Sequence, residues 1–310
     1  MKSKNNQSSG LLFDENRLIL RQKRAIKLKT SGADFLAKRI SEDFRHRLNA
    51  TNRQFDKAGD FHSFSQQMSS TMKKLANVGS VSRYELPKIA QLLGANGEVP
   101  IYPMSLNNAQ RPPDLANLQQ DWPENLDLVV SIMGLHASND LAMTMSCLFQ
   151  TMKSDGLLLV ALPIAGTLHE LRDCLTRAEL ELSEGAAMRV DTFIDIQQAG
   201  SLLQSAGFKL PVVDREALVV RYDDMFALIR DLRAMGMTSA LSVASTRQPH
   251  RELFKRANEL YLENHADGDG RIRASFNYAN LTAWTPHENQ QIPLKPGSAT
   301  TPLAKHLKAK

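Results

Sequence analysis

Apolar residues gather into two nearly continuous runs near the middle of the chain, LDLVVSIMGL from residue 126 and GLLLVALPIAG from residue 156. Runs of that length, each entered from turn-forming residues, read as parallel strands covered on both faces. Between them LAMTMSCLFQTMK has the density of a buried helix, with Ser154, Asp155 and Gly156 as its expected stop. Upstream, Phe35, Leu36, Ile40, Phe44 and Leu48 recur at helical spacing, and shorter apolar segments at 61–65, 80–86 and 99–104 read as strands. TMKKLANVG and PKIAQLLGANG separate those strands as helices closed by Gly79 and by Gly94 or Gly97. Downstream come two helices, opened by Thr167 and ended by Gly207, and the strand PVVDREALVVRY. Amphipathic helices in YDDMFALIRDLRAMG and HRELFKRANELYLENH then lead to RIRASFNYANLTAWT, whose Ile272, Ala274, Phe276 and Tyr278 face one way.

Strands alternating with helices, then a late strand with no helix after it, predict an α/β fold. The expected form is a doubly wound, seven-stranded, mostly parallel sheet with residues 126–133 central and 271–284 antiparallel. The expected organisation is a helical arm over 1–50, an α/β domain over 51–285 with a helical insertion at about 223–266, and a flexible tail over 286–310. Residues 14–28 are expected to be helical and docked rather than a loose basic tail.

Charge changes this picture in one place. The chain of 310 residues carries a net +5, yet residues 17–57 alone hold 12 Lys and Arg against 4 Asp and Glu, a balance of +8. The arm is therefore the basic part, and the remainder sums to −3. Its basic residues lack interleaved aromatics for base stacking, so DNA is not an expected partner. No apolar run approaches the ~20 residues of a membrane span. MKSKNNQSSG leads into a charged helix, and Cys147 and Cys174 have no metal-ligand spacing, so the expected setting is cytoplasmic and reducing, with the two thiols as core filler. Neither oligomeric state nor substrate is legible.

One stretch resists the pattern. GDFHSFSQQMSS, residues 59–70, stands where a first strand should turn into a nucleotide-cradling loop, and such loops need glycine; here Gly59 comes too early.

Five segments carry a resemblance that spans almost the whole chain. LLFDENRLILRQKRA resembles an "FDR, LL, R, RDRAA" opening, and DLVVSIMGLHASNDL resembles "DLVVSxLxLHWVNDL". LPIAGTLHELRDCL resembles "GGxTLxELRxxL", and YDDMFALIRDLRAMG resembles "YPxxxxLxxDLRxMG". RIRASFNYANLTAWTPHENQQIPLKPGSA resembles "IRATFEIxYLTGWxPHxSQxxPLxPGSA". Together they are similar to a class I, S-adenosylmethionine-dependent methyltransferase family. It contains a mitochondrial complex I assembly factor acting on an arginine, and it is close to the malonyl-carrier-protein methyltransferases of the biotin pathway.

The resemblance implies S-adenosylmethionine as cofactor. Laid on the expected strand at 61–65, the family's "DLGxxxG" puts Ser63 at the aspartate, Phe64 at the leucine, and Ser65 and Ser69 at the glycines. Loss of that carboxylate and of both glycines predicts weak or absent cofactor binding. Glu85 falls where nucleotide-binding sheets bind ribose hydroxyls, or it caps the helix at Pro87. Ser131 and Leu135 would flank the ligand at the fourth strand's turn. There His136 is the one candidate general base, or a histidine packed on the next helix. Glu170, Arg172, Trp284 and His287 match family positions without an assigned role. Two functions remain open: a transferase or hydroxylase acting on a protein or acyl-carrier substrate, and a non-catalytic assembly chaperone for a client such as a respiratory subunit.

Overall fold

In the computed structural model, residues 11–28, 30, 32–94, 99–104, 122–242 and 250–290 are described. The chain opens with α1 (Glu15–Leu28) and α2 (Phe35–Ala50), then runs β1 (Phe55–Phe61), α3 (Gln67–Met72), β2 (Val78–Glu85), α4 (Pro87–Leu93) and β3 (Ile101–Pro103). Next come β4 (Leu126–Ile132), α5 (Leu141–Thr151), β5 (Met152–Pro163), α6 (His169–Leu182) and α7 (Ile196–Ser205). The described elements end with β6 (Lys209–Tyr222), α8 (Met225–Met235), α9 (Arg251–His265) and β7 (Ile272–Trp284).

The strands form one sheet in the order β3-β2-β1-β4-β5-β7-β6. β7 runs antiparallel to both β5 and β6, and the pairs on the other side of β5 are parallel. This is the seven-stranded, mostly parallel arrangement the element order predicts, and it agrees with the class I methyltransferase fold that the resemblance implies. β4 and β5 lie at its centre because their side chains are apolar on both faces: Leu128, Val129, Val130, Leu158, Leu159 and Val160 are all fully buried. One core lies under α2, α3, α6, α8 and α9, and a second lies under α5 and α7.

Several boundaries differ from the sequence reading, each because tertiary packing overrides local pattern. The first strand is FDKAGDF, not 61–65. Its polar sequence hides a central strand in which Phe55, Ala58 and Phe61 point inward between β2 and β4. Gly59 serves that packing: a Cβ there would lie 2.7 Å from the Phe61 ring, which stacks on Tyr84 at a centroid distance of 4.6 Å. Gly79 falls inside β2 instead of ending a helix, and β5 absorbs Ser154, Asp155 and Gly156. Thr167 does not cap α6; its hydroxyl donates to the Asn277 carbonyl across to β7. Gly97 and residues 291–310 of the expected tail lie outside the described residues.

The basic arm is ordered as α1 and α2, and both dock through apolar stripes. Ile40, Phe44 and Leu48 of α2 are completely buried, while Leu18 and Ile19 of α1 join Phe13, Leu86, Ile89, Ala240 and Leu241 over the sheet's carboxyl edge. Among the described residues no helix is long and apolar enough to cross a membrane.

Candidate functional site

The strand order reverses between β1 and β4, and the crevice outside the carboxyl ends of such a pair is where open α/β sheets bind ligands. β1 delivers Asp60 and the loop 62–66 to this crevice, β2 delivers Arg83 and Glu85, and β4 delivers Ser131 and the turn through Leu135 and His136.

Because β1 ends at Phe61, the "DLGxxxG" pattern starts three residues before the position read from sequence. On the observed strand the pattern's aspartate position falls at Asp60, a carboxylate, and no longer at Ser63. The glycine positions become His62 and Gln66 in place of Ser65 and Ser69. His62 has φ 51°, the left-handed conformation that a glycine adopts at least cost.

Asp60 is completely buried and accepts hydrogen bonds from the Ser63 and Ser69 hydroxyls. Ser63 Oγ also accepts from the Ile132 amide at 2.9 Å, and the Phe64 amide donates to the Ile132 carbonyl at 3.1 Å. The loop is thereby stitched to the end of β4. Ser65 Oγ accepts from the Gln67 amide at 3.1 Å, opening α3. Ser131 Oγ is buried without a partner among the described residues, and Leu135 is fully buried in the core under α5 and α7.

Arg83, two residues before Glu85 and therefore on the same side of β2, lies at the centre of the cluster. Its guanidinium holds Glu85 Oε1 through Nε at 2.9 Å and through Nη2, reaches Asp60 Oδ2 at 3.4 Å, and donates to the Ser65 carbonyl at 2.6 Å and to that of Ser63. Glu85 Oε2 meets His62 Nδ1 at 3.7 Å. Burial pushes the Asp60 carboxyl up, and Arg83 with the two serines only partly reverses this. At Glu85 burial acts the same way, but the charge and hydrogen bonds of Arg83, with His62 close by, outweigh it and hold this carboxyl below its ordinary value. Glu85 is thus an internal ion-pair partner and not a cap for α4, whose first turn has no side-chain cap.

The crevice is almost filled. The carbonyl of His62 approaches Gly134 so closely that a Cβ at Gly134 would stand 1.6 Å from it. The cavity bounded by His62, Met133, Gly134, His136, Leu18 and Arg21 measures about 20 Å³. A wider cleft of about 470 Å³ opens beside the loop, under α1, α4 and α8, and there Arg83 and Glu85 are presented as an ion pair.

The arm covers one side of His136, which is half-buried. Phe13 meets its ring edge-on at 6.5 Å, and Asn139 pins Phe13 by accepting from its amide at 2.8 Å and donating to its carbonyl at 3.0 Å. Phe193 lies 5.8 Å away on another side. Burial, and then the nearby Arg21 charge, lower the His136 pKa to about 4. A histidine so depressed is neutral at pH 7 and disfavours the folded state below its ordinary pKa of ~6.5. Stability at this site is fully present above ~6.5 and declines as pH falls toward 4. Half-burial leaves part of the effect screened, so lowering the pH from 7 to 5 should cost about 1–2 kcal/mol at this residue. Urea unfolding of the parent chain and His136→Gln at both pH values checks it: the parent should lose that much more than the variant, and equal losses would contradict it.

Asp60, His62 and Arg83 are the site residues that sequence reasoning missed. The missed signal was the i, i+2 spacing of Arg83 and Glu85, which puts opposite charges on one face of a buried strand. Glu170 accepts from the Ser275 hydroxyl and, at 3.2 Å, from its amide; Arg172 donates to the Asp191 carbonyl at 3.1 Å; and Trp284 lies under the Arg53 guanidinium. None of the three reaches the crevice.

No family model matches the chain. It is 36% identical over 177 residues to arginine-hydroxylase NDUFAF5, mitochondrial, of Dictyostelium discoideum, covering 57% of this chain and 40% of that protein. Identity to the Homo sapiens protein of that name is 35% over 176 residues, covering 56% of this chain and 50% of that protein. Identity to malonyl-[acyl-carrier protein] O-methyltransferase of Xylella fastidiosa is 31% over 180 residues, covering 55% and 59%. The chain thus spans about half the length of the relatives it matches, and the resemblance read in its motifs is shared sequence over more than half of its own. Among solved structures, a candidate methyltransferase of Bacillus halodurans superposes with a TM-score of 0.51 at 13% identity, covering 79% of this chain and 98% of that one. The YcgJ protein of Bacillus subtilis gives a TM-score of 0.51 at 10% identity, covering 80% and 99%. Both show the fold alone. The cytoplasmic setting expected from the sequence is corrected by the NDUFAF5 relatives, whose names place those proteins in mitochondria.

Proposed function

We propose that this chain is a mitochondrial assembly factor that binds a protein client, such as a subunit of respiratory complex I, on a methyltransferase scaffold with little or no affinity for S-adenosylmethionine. The observation that carries the reading is the crevice at the β1/β4 switch point. Between the ends of β1 and β4 His62 abuts Gly134 and leaves about 20 Å³, under the roughly 300 Å³ at which small-molecule sites begin, and the 470 Å³ cleft beside it is walled by Ser63, Ser65 and Gln66 in place of a glycine loop. Glu85, the carboxylate placed for ribose hydroxyls, is engaged by the buried Arg83 and is not free to receive them. With its ligand crevice closed, the fold still offers a protein surface.

Calorimetric titration of the full chain with S-adenosylmethionine tests the cofactor half, and binding no tighter than about 1 mM is expected. Assembled complex I in cells lacking the chain tests the client half, and it should fall and return on re-expression. The relatives named arginine-hydroxylase favour a second reading, a protein-modifying enzyme. Low-micromolar cofactor binding would return the chain to that reading.

A further inference from the structure

A second cavity, of about 400 Å³, opens between α1, α6, α8 and the segment before α7, within the size range of small-ligand sites. One part of its wall is apolar, with Leu171 of α6, Ile229 and Leu232 of α8 and Phe254 of α9, and the rest is polar, with Thr167, Thr238 and Ser239 beside charged groups. Its charged groups are all arginines except Asp191 and the neutral His136. Asp191 is already engaged: it pairs with the buried Arg21 at 3.4 Å and accepts from the Ala240 amide at 3.1 Å. Arg189 is bound to Glu179 at 2.6 Å, and Arg17 has Asp14 at 3.9 Å and the Leu241 carbonyl at 3.2 Å.

Arg24 of α1 and Arg233 of α8 differ. Both are exposed at the cavity, and neither has a carboxylate partner among the described residues. Their helices pack closely, with Ala25 Cβ 3.3 Å from where a Cβ on Gly236 would stand. A cavity with one apolar wall, edged by two uncompensated guanidinium groups, combines a surface that gains by covering with a local excess of positive charge. A purely apolar ligand would leave the charges unmatched, and a cation would be repelled. Guanidinium forks match the planar or tetrahedral oxygens of carboxylate and phosphate.

We propose that this cavity binds an amphipathic anion, an alkyl or acyl tail lying against Leu171, Leu232 and Phe254 with its carboxylate or phosphate head held at Arg24 and Arg233. The site adjoins the closed crevice at His136 and Met237, but Arg24, Arg233, Leu171, Leu232 and Phe254 lie outside that crevice, so its occupancy and cofactor binding can fail independently. The test is calorimetric titration of the full chain with decanoate, decyl phosphate, decanol and decyltrimethylammonium, each below its micelle concentration. One or both anions should bind one-to-one and at least about ten-fold tighter than decanol or the cation, the tighter of the two anions identifying the head group. Shortening decanoate to octanoate should weaken binding on the order of ten-fold, because each buried methylene contributes about 0.8 kcal/mol. The double variant Arg24→Glu, Arg233→Glu changes only exposed side chains and should lower anion affinity ten-fold or more while leaving decanol unchanged. Failure of both anions to saturate, equal affinity for decanol or the cation, no dependence on tail length, or indifference to the charge reversal would each overturn the proposal.

Discussion

Replacing Arg83 with methionine is expected to cost 3–5 kcal/mol of stability, a large fraction of the ~5–15 kcal/mol by which a folded protein is stable. The side chain is 3% exposed and is the cation facing both Asp60 and Glu85, which are themselves buried. Methionine conserves the apolar stem but leaves two carboxylates and the carbonyls of Ser63 and Ser65 without their donor. The penalty is that of uncompensated buried charge, which exceeds what the ion pair contributes over an apolar replacement of the whole group. Glu85→Gln in the same background should therefore recover part of the loss, because it removes one stranded charge. The double change should be less damaging than the sum of the single ones by about 1–3 kcal/mol. Urea unfolding of the four proteins measures this. A loss under about 1 kcal/mol for Arg83→Met would mean that the guanidinium does not sit between the carboxylates.

Gly134→Ala is expected to destabilise by about 3 kcal/mol or more, at the upper end of what overpacking costs. The reason is proximity and not backbone conformation, since φ at Gly134 is −106° and any residue adopts it. The added methyl would stand 1.6 Å from the His62 carbonyl oxygen, a backbone atom in a loop tied to β4 through Ser63 and Phe64. Neither side can yield without separating the ends of β1 and β4. Gly200→Ala is the matched control: it lies within α7, its methyl would meet Val213 at 3.8 Å, and it should stabilise by about 0.5–1 kcal/mol. If Gly134→Ala unfolds at the same urea concentration as the parent, the crevice is open in solution and has room for a cofactor.

The two predictions concern residues that the sequence pattern displayed unequally. The apolar runs of β4 and β5 were legible because a strand buried on both faces must be apolar along its whole length, and the helices because an apolar stripe of 3.6-residue period suits no other regular element. The antiparallel β7 followed from element order, and the docked α1 from apolar residues too numerous for a solvated tail. β1 was misplaced because FDKAGDF carries only three apolar anchors among polar residues; its burial comes from β2 and β4 on either side, which are distant in sequence. Misplacing that strand shifted the motif laid on it by three residues, so Ser63 was read as a lost aspartate where the observed strand end offers Asp60, and His62 was passed over altogether.

By itself, then, the sequence determined the seven-stranded, mostly parallel sheet with its central strand and antiparallel last strand, the docking of the basic arm and the kinship with methyltransferases, because these depend on periodicity, element order and motifs that survive small errors of register. Only the tertiary structure decided the state of the crevice. Whether Glu85 is free or engaged depends on which way Arg83 points, and whether the loop is open depends on a contact between His62 and Gly134, 72 positions apart in the chain. Such contacts are set by the distance between strand ends, to which local hydrophobic pattern is blind.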